Sequence, residues 1–357
     1  MPIAPRPNHD VSLLYAIISN VNFYVWPVYR YGEMKKLTEK VFTKSLVFYC
    51  LCAIVFVVGY FVGVLQCIGW CNEITYGKKL YQVEKQTAYL AVIIFSAPGN
   101  YERRRAIRKT WLLNKGDRSI GHFFVVGTAS LESAELNNIQ HEHEEFGDLM
   151  VLDKVSDSYA KLSVKLREAL TWLYANVEFV FLLKVDDDSF VRLGALYNEL
   201  KLKPKEKLYW GFFDGQAKVK FGGKWKETAW FLCDRYLPYA KGGGYVITSD
   251  LVRNLALTSS YLSLYQNEDV ALGTWLAPFD IKRVHDPNFD TEYLSRGCFN
   301  SYLVTHKQSI SLMITKFKNL KETGNMCTSE RRERNSYMYN WRVQPSLCCI
   351  RNNSQIP

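Results

Sequence analysis

Nothing in the 357-residue sequence repeats at a fixed spacing, which excludes a solenoid or propeller built from copies of one unit. No G-x-x-x-x-G-K-[ST] occurs and no G-x-G-x-x-G follows a strand-like run, so phosphate is not cradled by either of the common glycine loops. No C-x₂-C pair has a matching distant partner, which leaves a structural zinc site without ligands. Nine cysteines are too few at this length for a disulfide scaffold. With 48% hydrophobic residues the composition of a disordered or fibrous chain is missing too, and a large core is affordable in length and content. What is present is a net charge of +10 and 52 Phe, Trp and Tyr residues, which fits either nucleic acid or an acidic ligand. The compartment decides between them.

Leu46–Leu65 is twenty residues without a charge, Asn, Gln or Pro. At ~1.5 Å per residue such a helix crosses a ~30 Å hydrocarbon core. A cleaved signal peptide would end in small residues, whereas this run ends in Gln66-Cys67-Ile68-Gly69-Trp70. Lys35, Lys36, Lys40 and Lys44 crowd the N-terminal flank, and residues 1–45 hold six basic against three acidic groups. The positive-inside rule then places the N-terminus in the cytosol and the rest in the lumen, a single-pass type II arrangement. The expected division is a cytosolic tail (1–45), a signal-anchor helix (46–65), a short polar stem (66–86), a lumenal domain (87–350) and a C-terminal tail (351–357). The broken apolar stretch Val11–Val28 reads as membrane-adjacent, and Met34 is a second possible start ahead of the anchor. A lumenal body does not meet nucleic acid. An oxidising lumen favours disulfides among Cys233, Cys298, Cys327, Cys348 and Cys349, with one thiol over, and Asn352-Asn353-Ser354 is a glycosylation sequon.

From Tyr89 onward apolar runs (Tyr89–Phe95, His122–Gly127, Leu149–Val155, Phe179–Val185) alternate with helix-like stretches such as Ser158–Asn176, where Leu162, Leu166, Leu170 and Leu173 share a face. This predicts an α/β domain with a mostly parallel sheet and its ligand at the carboxyl ends of the strands. The fourth run ends in Asp186-Asp187-Asp188. Three adjacent carboxylates repel, and in extended chain the first and third point to one side, so a hard divalent cation is their natural partner. The alternative is that Asp188 caps a helix over Ser189–Leu200.

Four motifs in order, Glu102–Trp111 (ERRRAIRKTW), Lys184–Asp188 (KVDDD), Tyr236–Tyr245 (YLPYAKGGGY) and Glu268–Gly273 (EDVALG), resemble those of the β1,3-glycosyltransferase family that contains the β1,3-galactosyltransferases. A narrower set, Gly222–Trp230, His285–Tyr293, Arg296–Cys298, Leu303–Ser309 and Cys348-Cys349, resembles the branch that adds galactose to galactosyl-xylose in the glycosaminoglycan–protein linkage region of proteoglycans. The resemblance implies a GT-A fold, UDP-galactose as donor, Mn²⁺, inversion at the anomeric carbon, and a Golgi membrane location. It also implies a galactosyl-xylosyl core protein as acceptor and other linkage-region glycosyltransferases as partners. The same family includes enzymes with other sugars or acceptors, and a lectin-like protein on an inactive transferase fold is the alternative from another class.

Carried over residue by residue, Asp188, with Asp187 assisting, would hold the metal, while Asp186 would face the donor's ribose or sugar. Asp269 matches the base position, with Glu268 tuning it. His306 matches a metal-ligating imidazole, and His285 is a weaker candidate. Arg104, Arg108 and Lys165 are candidates for the donor phosphates, with core positioning as the bland role; Lys184 divides in the same way. Gly243 and Gly244 would let backbone approach the sugar, and Trp210, Trp225, Trp230 and Tyr239 would stack on an acceptor sugar or simply pack.

Overall fold

An apolar run with no polar face to steer it forms one long helix, α1 (Tyr31–Leu80), in the computed structural model, which describes residues 31–80, 85–116 and 118–351. Within it Phe42–Gln66 is long and apolar enough to cross a membrane, and the side chains of Leu46–Leu65 are all exposed. The helix continues through much of the segment expected to be a stem. Val11–Val28 and the sequon at Asn352 lie outside the described residues. The chain divides between Gln82 and Val83 into this N-terminal unit and the body that follows.

The body runs β1 (Gln86–Phe95), α2 (Tyr101–Lys109), β2 (Ile120–Gly127), α3 (Ser133–Phe146), β3 (Leu149–Leu152), α4 (Leu162–Asn176), β4 (Val177–Asp186), β5 (Phe190–Val191) and α5 (Leu193–Leu200). It continues with β6 (Leu208–Asp214), β7 (Tyr239–Thr248), α6 (Ser249–Leu257), α7 (Glu268–Trp275), β8 (Lys282–His285), β9 (Phe289–Asp290), β10 (Gly297–Cys298), β11 (Val304–Thr305), α8 (Ile310–Thr323) and β12 (Arg331–Arg332). Seven strands make the central sheet in the order β3-β2-β1-β4-β7-β6-β8. All pairs are parallel except those of β7, which runs against both β4 and β6. The α/β class and the mostly parallel sheet are as the sequence predicts.

β1 sits between two parallel neighbours, and Leu90–Ile94 are all fully buried, which is why that run shows no alternation. Truncating one of these side chains, Ile93→Ala for example, costs roughly 2–5 kcal/mol. In α4, Leu166, Leu170 and Leu173 are buried and the helix packs on α6 and α7. It ends where β-branched Val177 turns extended and opens β4 directly.

Two boundaries differ from expectation. β3 stops at Leu152, because Asp153 and Lys154 turn and the Val155 N–H returns to the Leu152 carbonyl at 3.2 Å. Asp188 does not cap a helix over Ser189–Leu200: Phe190–Val191 pairs as a strand with β11, and α5 begins only at Leu193.

A small sheet, β5-β11-β9, lies next in sequence to the ends of β4 and β8 and carries Val304–Thr305 to the site. Cys298–Cys327 and Cys348–Cys349 are disulfide-bonded, and Cys233 is free and exposed.

Candidate active site

The register of β4 decides the geometry. Lys184 and Asp186 are two residues apart in a strand, so their side chains fall on one side. Phe95 pairs with Asp186 at the carboxyl ends of β1 and β4, and Val185 pairs with Gly244 in the middle of β7. After Asp186 the chain turns, and Asp188 comes back to the same side.

His306, directly after β11, completes the cluster. Its Nε2 lies 2.9 Å from Asp188 Oδ1 and 3.4 Å from Asp186 Oδ2. The three donor atoms lie within 4.8 Å of one another. Asp188 Oδ1 and His306 Nε2 are buried and face each other, with no other hydrogen-bond partner among the described residues. His306 Nδ1 sits 3.3 Å from the Glu292 carbonyl, which leaves Nε2 to face the carboxylates. Burial opposes charge on the imidazole, but the Asp186 and Asp188 carboxylates outweigh it and raise its pKa to about 9. Two carboxylates and an imidazole with convergent ligand atoms fit a divalent transition metal such as Mn²⁺.

Asp187 departs from the expected metal set. Its Oδ2 accepts from Asn100 Nδ2 at 2.8 Å, and its own N–H donates to the Phe95 carbonyl, so it faces away from the cluster and ties the strand end to the loop after β1. Burial raises its pKa, against the Asn100 bond. Asp186, expected against ribose or sugar, is instead a member of the donor cluster. Lys307 donates to Asp188 Oδ2 at 3.0 Å from a left-handed backbone position, φ 59°.

The second half of the site is the start of α7. Lys184 Nζ, fully buried, donates to Asp186 Oδ1 (2.8 Å), the Gly242 carbonyl (2.8 Å) and Glu268 Oε1. Glu268 is thus tied to an ammonium. Its pKa still rises to about 7, through burial first and then repulsion from Asp269 and Asp186. Asp269 is half-buried and makes no such ion pair; its Oδ2 accepts the Gly242 N–H at 2.9 Å and its Oδ1 the Val270 N–H at 2.9 Å. Burial raises the Asp269 carboxyl, against the pull of Lys241 and Lys184. Of the two acids, Asp269 is the one without a salt-bridge partner among the described residues.

The three glycines of β7 make room for these groups. A Cβ on Gly242 would sit 3.0 Å from both Glu268 carboxylate oxygens, and one on Gly243 would meet the His306 ring at 2.5 Å. One on Gly244 would meet Val304 Cγ1 at 2.9 Å and Val185 Cγ1 at 3.1 Å. The close approach expected toward a sugar is, at Gly243 and Gly244, an approach of protein groups.

Arg104 and Arg108 are not placed to hold phosphate. All five Arg104 N–H groups are committed: Nε and Nη2 to Glu142, Nη1 to Ser96 Oγ and the Ala97 carbonyl, Nη2 also to the Pro98 carbonyl. Arg108 pairs with Glu142 and Asp148 and lies against the Phe124 and Phe146 rings. Lys165, also buried, donates to the Ser96 carbonyl (2.9 Å) and Asp157 Oδ2 (2.6 Å). Arg104 and Lys165 shape the Ser96–Pro98 turn, while half-buried Arg108 ties α2 to Glu142 and Asp148.

His285 is structural: Nδ1 accepts the Phe213 N–H at 3.0 Å, Nε2 reaches the Tyr337 carbonyl at 2.9 Å, and burial lowers its pKa to about 4. Trp210 is fully buried and donates to Asp286; Trp230 packs on Tyr236 and Tyr265, and Tyr239 is buried. Only Trp225 of the four aromatic candidates is open, edge-on to Tyr293.

Sequence reasoning missed Asn100, Lys307 and Tyr159, whose phenol is raised by burial and by the nearby Asp269, Glu268 and Asp186 carboxylates. None of these has a local signal that marks it.

Over residues 102–287 the chain matches the family described as galactosyltransferase. It is 50% identical over 270 residues to Beta-1,3-galactosyltransferase 6 of Mus musculus, covering 74% of this chain and 83% of that protein. It is 34% identical over 231 residues to Hydroxyproline O-galactosyltransferase GALT5 of Arabidopsis thaliana, covering 62% of this chain and 34% of that protein. The solved apo structure of the bifunctional glycosyltransferase WbbM is similar with a TM-score of 0.33 and 12% identity, over 57% of this chain and 39% of that one.

Proposed function

The chain belongs to the galactosyltransferase family, and we propose that it transfers galactose from UDP-galactose, with inversion and in β1,3 linkage, to the galactose of a galactosyl-xylosyl protein. The product is the glycosaminoglycan–protein linkage region of a proteoglycan, made at the Golgi membrane by a type II protein anchored through α1. The observation that carries the reading is the pairing, through Lys184, of an Asp186–Asp188–His306 donor cluster with an acid-rich helix start bearing Asp269. The acceptor rests on the narrower motifs, Gly222–Trp230 and His285–Tyr293 among them.

Asp186, Asp188 and His306 would hold Mn²⁺, which when bound supplies Lewis-acid stabilisation to the departing diphosphate, so that no protonating acid is needed there. Asp269 takes the proton of the acceptor hydroxyl at its carboxylate, which the Gly242 N–H orients through Oδ2. Its raised pKa makes it a stronger base than an exposed aspartate. Glu268 holds Lys184, and Lys184 holds Asp186, so base and donor side keep a fixed spacing. Trp225 offers an open ring face for the acceptor sugar.

The test is transfer from UDP-galactose to a synthetic galactosyl-β1,4-xyloside by the full-length chain in detergent, with Mn²⁺ and then with EDTA. An EDTA-sensitive β1,3-linked digalactosyl product is expected. Absence of product while UDP binds in the presence of Mn²⁺ would move the acceptor elsewhere in the family.

A further inference from the structure

Between β6 and β7 a loop leaves the sheet, and its sequence is basic and aromatic. Lys218, Lys220, Lys224 and Lys226 are all exposed, and none takes a carboxylate partner among the described residues. Its two acids do not neutralise them. Glu227 is buried and turned inward, accepting the Thr228 and Ala229 N–H groups at Oε1 and the Gln266 N–H at Oε2 (2.9 Å); Asp234 lies on the returning arm, across from Val219, whose N–H it accepts at its carbonyl.

The loop is built rather than trailing. Val219 points in, packing with Tyr236, Tyr239 and Val270, so that Lys218 and Lys220 on either side of it point out. The Tyr236 N–H donates to the Ala217 carbonyl, and the Tyr236 hydroxyl accepts the Lys220 N–H at 3.2 Å. At the tip, Glu227 and Asn267 staple the loop to the residues just before Glu268 and Asp269: Gln266 N–H to Glu227, and Asn267 Nδ2 to the Trp225 carbonyl at 3.3 Å. Lys224 Nζ lies 5.0 Å from the ring centre of Tyr159. Trp225 and Phe221 are exposed between the lysines. A row of cations without carboxylate partners, interleaved with open aromatic rings, is therefore pinned beside the helix that bears Asp269.

We propose that the Lys218–Lys226 loop docks an acidic stretch of the acceptor's polypeptide, next to the sugar that Asp269 activates. The inference rests on the acceptor being a glycosylated protein. Charge complementarity selects the partner: four ammonium groups without carboxylate partners attract Asp and Glu side chains, while the exposed Phe221 ring covers the peptide's apolar parts.

The experiment uses the full-length chain in nonionic detergent and two glycopeptides of equal length carrying galactosyl-xylosyl-serine, one flanked by Asp and Glu, the other by Asn and Gln. The quantity read is the ratio of kcat/KM for the acidic over the neutral acceptor. About tenfold is expected for the native chain, the sum of a few exposed ion pairs, expressed in KM and shrinking as salt rises from about 20 to about 300 mM. Replacing the four residues together, Lys218→Gln, Lys220→Gln, Lys224→Gln and Lys226→Gln, is expected to bring the ratio near one; Lys224→Glu alone is a milder second variant that lowers it part of the way. A native ratio near one, or a quadruple variant that keeps the native ratio, overturns the proposal. If the native chain galactosylates neither glycopeptide, the proposed reaction itself fails, and the loop is read independently by fluorescence anisotropy of the sugar-free acidic peptide. Tighter binding by the native chain than by the quadruple variant then supports docking, and equal binding overturns it.

Discussion

The ammonium of Lys184 donates to Asp186 Oδ1 at 2.8 Å and to Glu268 Oε1 from a fully buried position, so a single cation joins the Asp186–Asp188–His306 cluster to the start of the helix that carries Asp269. Lys184→Met keeps the apolar stem and removes the charge, leaving Glu268 buried without its partner. Stability is expected to fall by roughly 3–5 kcal/mol in denaturant titration, with transfer lost in the fraction that folds. Native stability in this variant would show that the ion pair is dispensable.

Gly243→Ala probes the close approach on β7. A Cβ there lies 2.5 Å from His306 Cγ, so the imidazole must move while Asp186 and Asp188 stay. The expected outcome is Mn²⁺-dependent UDP binding weakened by about tenfold or more with a native circular dichroism spectrum, read by calorimetric titration. Unchanged binding would remove His306 from the ligand set.

Arg104 and its partner Glu142 are expected to act on stability and not on the donor. Arg104→Lys loses the bidentate bond to Glu142 and part of the hold on Ser96–Pro98, a cost of roughly 3–5 kcal/mol. The KM for UDP-galactose of the folded variant stays within about twofold. A raised KM at unchanged melting temperature would restore Arg104 to the phosphates.

His285 sets a pH dependence. Burial lowers its pKa to about 4, so the folded chain resists protonation that the unfolded chain accepts near its ordinary 6.5. Above pH 6.5 both states are neutral there and the residue contributes no slope. As pH falls from 6.5 toward 4 only the unfolded state binds the proton, and stability drops by about 1.4 kcal/mol per unit, roughly 3 kcal/mol in all. His285→Gln is expected to be less stable at pH 7.5 but to show a flatter decline on acidification, measured by unfolding at several pH values.

Local periodicity made much of this visible before any coordinates. The leucines of α4 at helical spacing, the unbroken apolar runs of the parallel strands and the carboxylates at the end of β4 are all short-range patterns. What stayed hidden depends on distant partners. Asp187 turns to Asn100, 87 residues earlier in the chain, and Arg104 finds Glu142 on α3, whose sequence reads as a solvated polar helix. Neither contact leaves a trace in the residues around it, so the arginines of the first motif looked available for phosphate.

The most direct test of the account is Asp269→Asn, assayed for transfer and for UDP binding on the same preparation. Asparagine keeps the shape and the Gly242 contact but cannot accept the acceptor's proton. Transfer is expected to fall by about 10²–10⁴-fold while Mn²⁺-dependent UDP binding stays within about twofold of native. Turnover near the native rate would take the base role away from Asp269 and contradict the account.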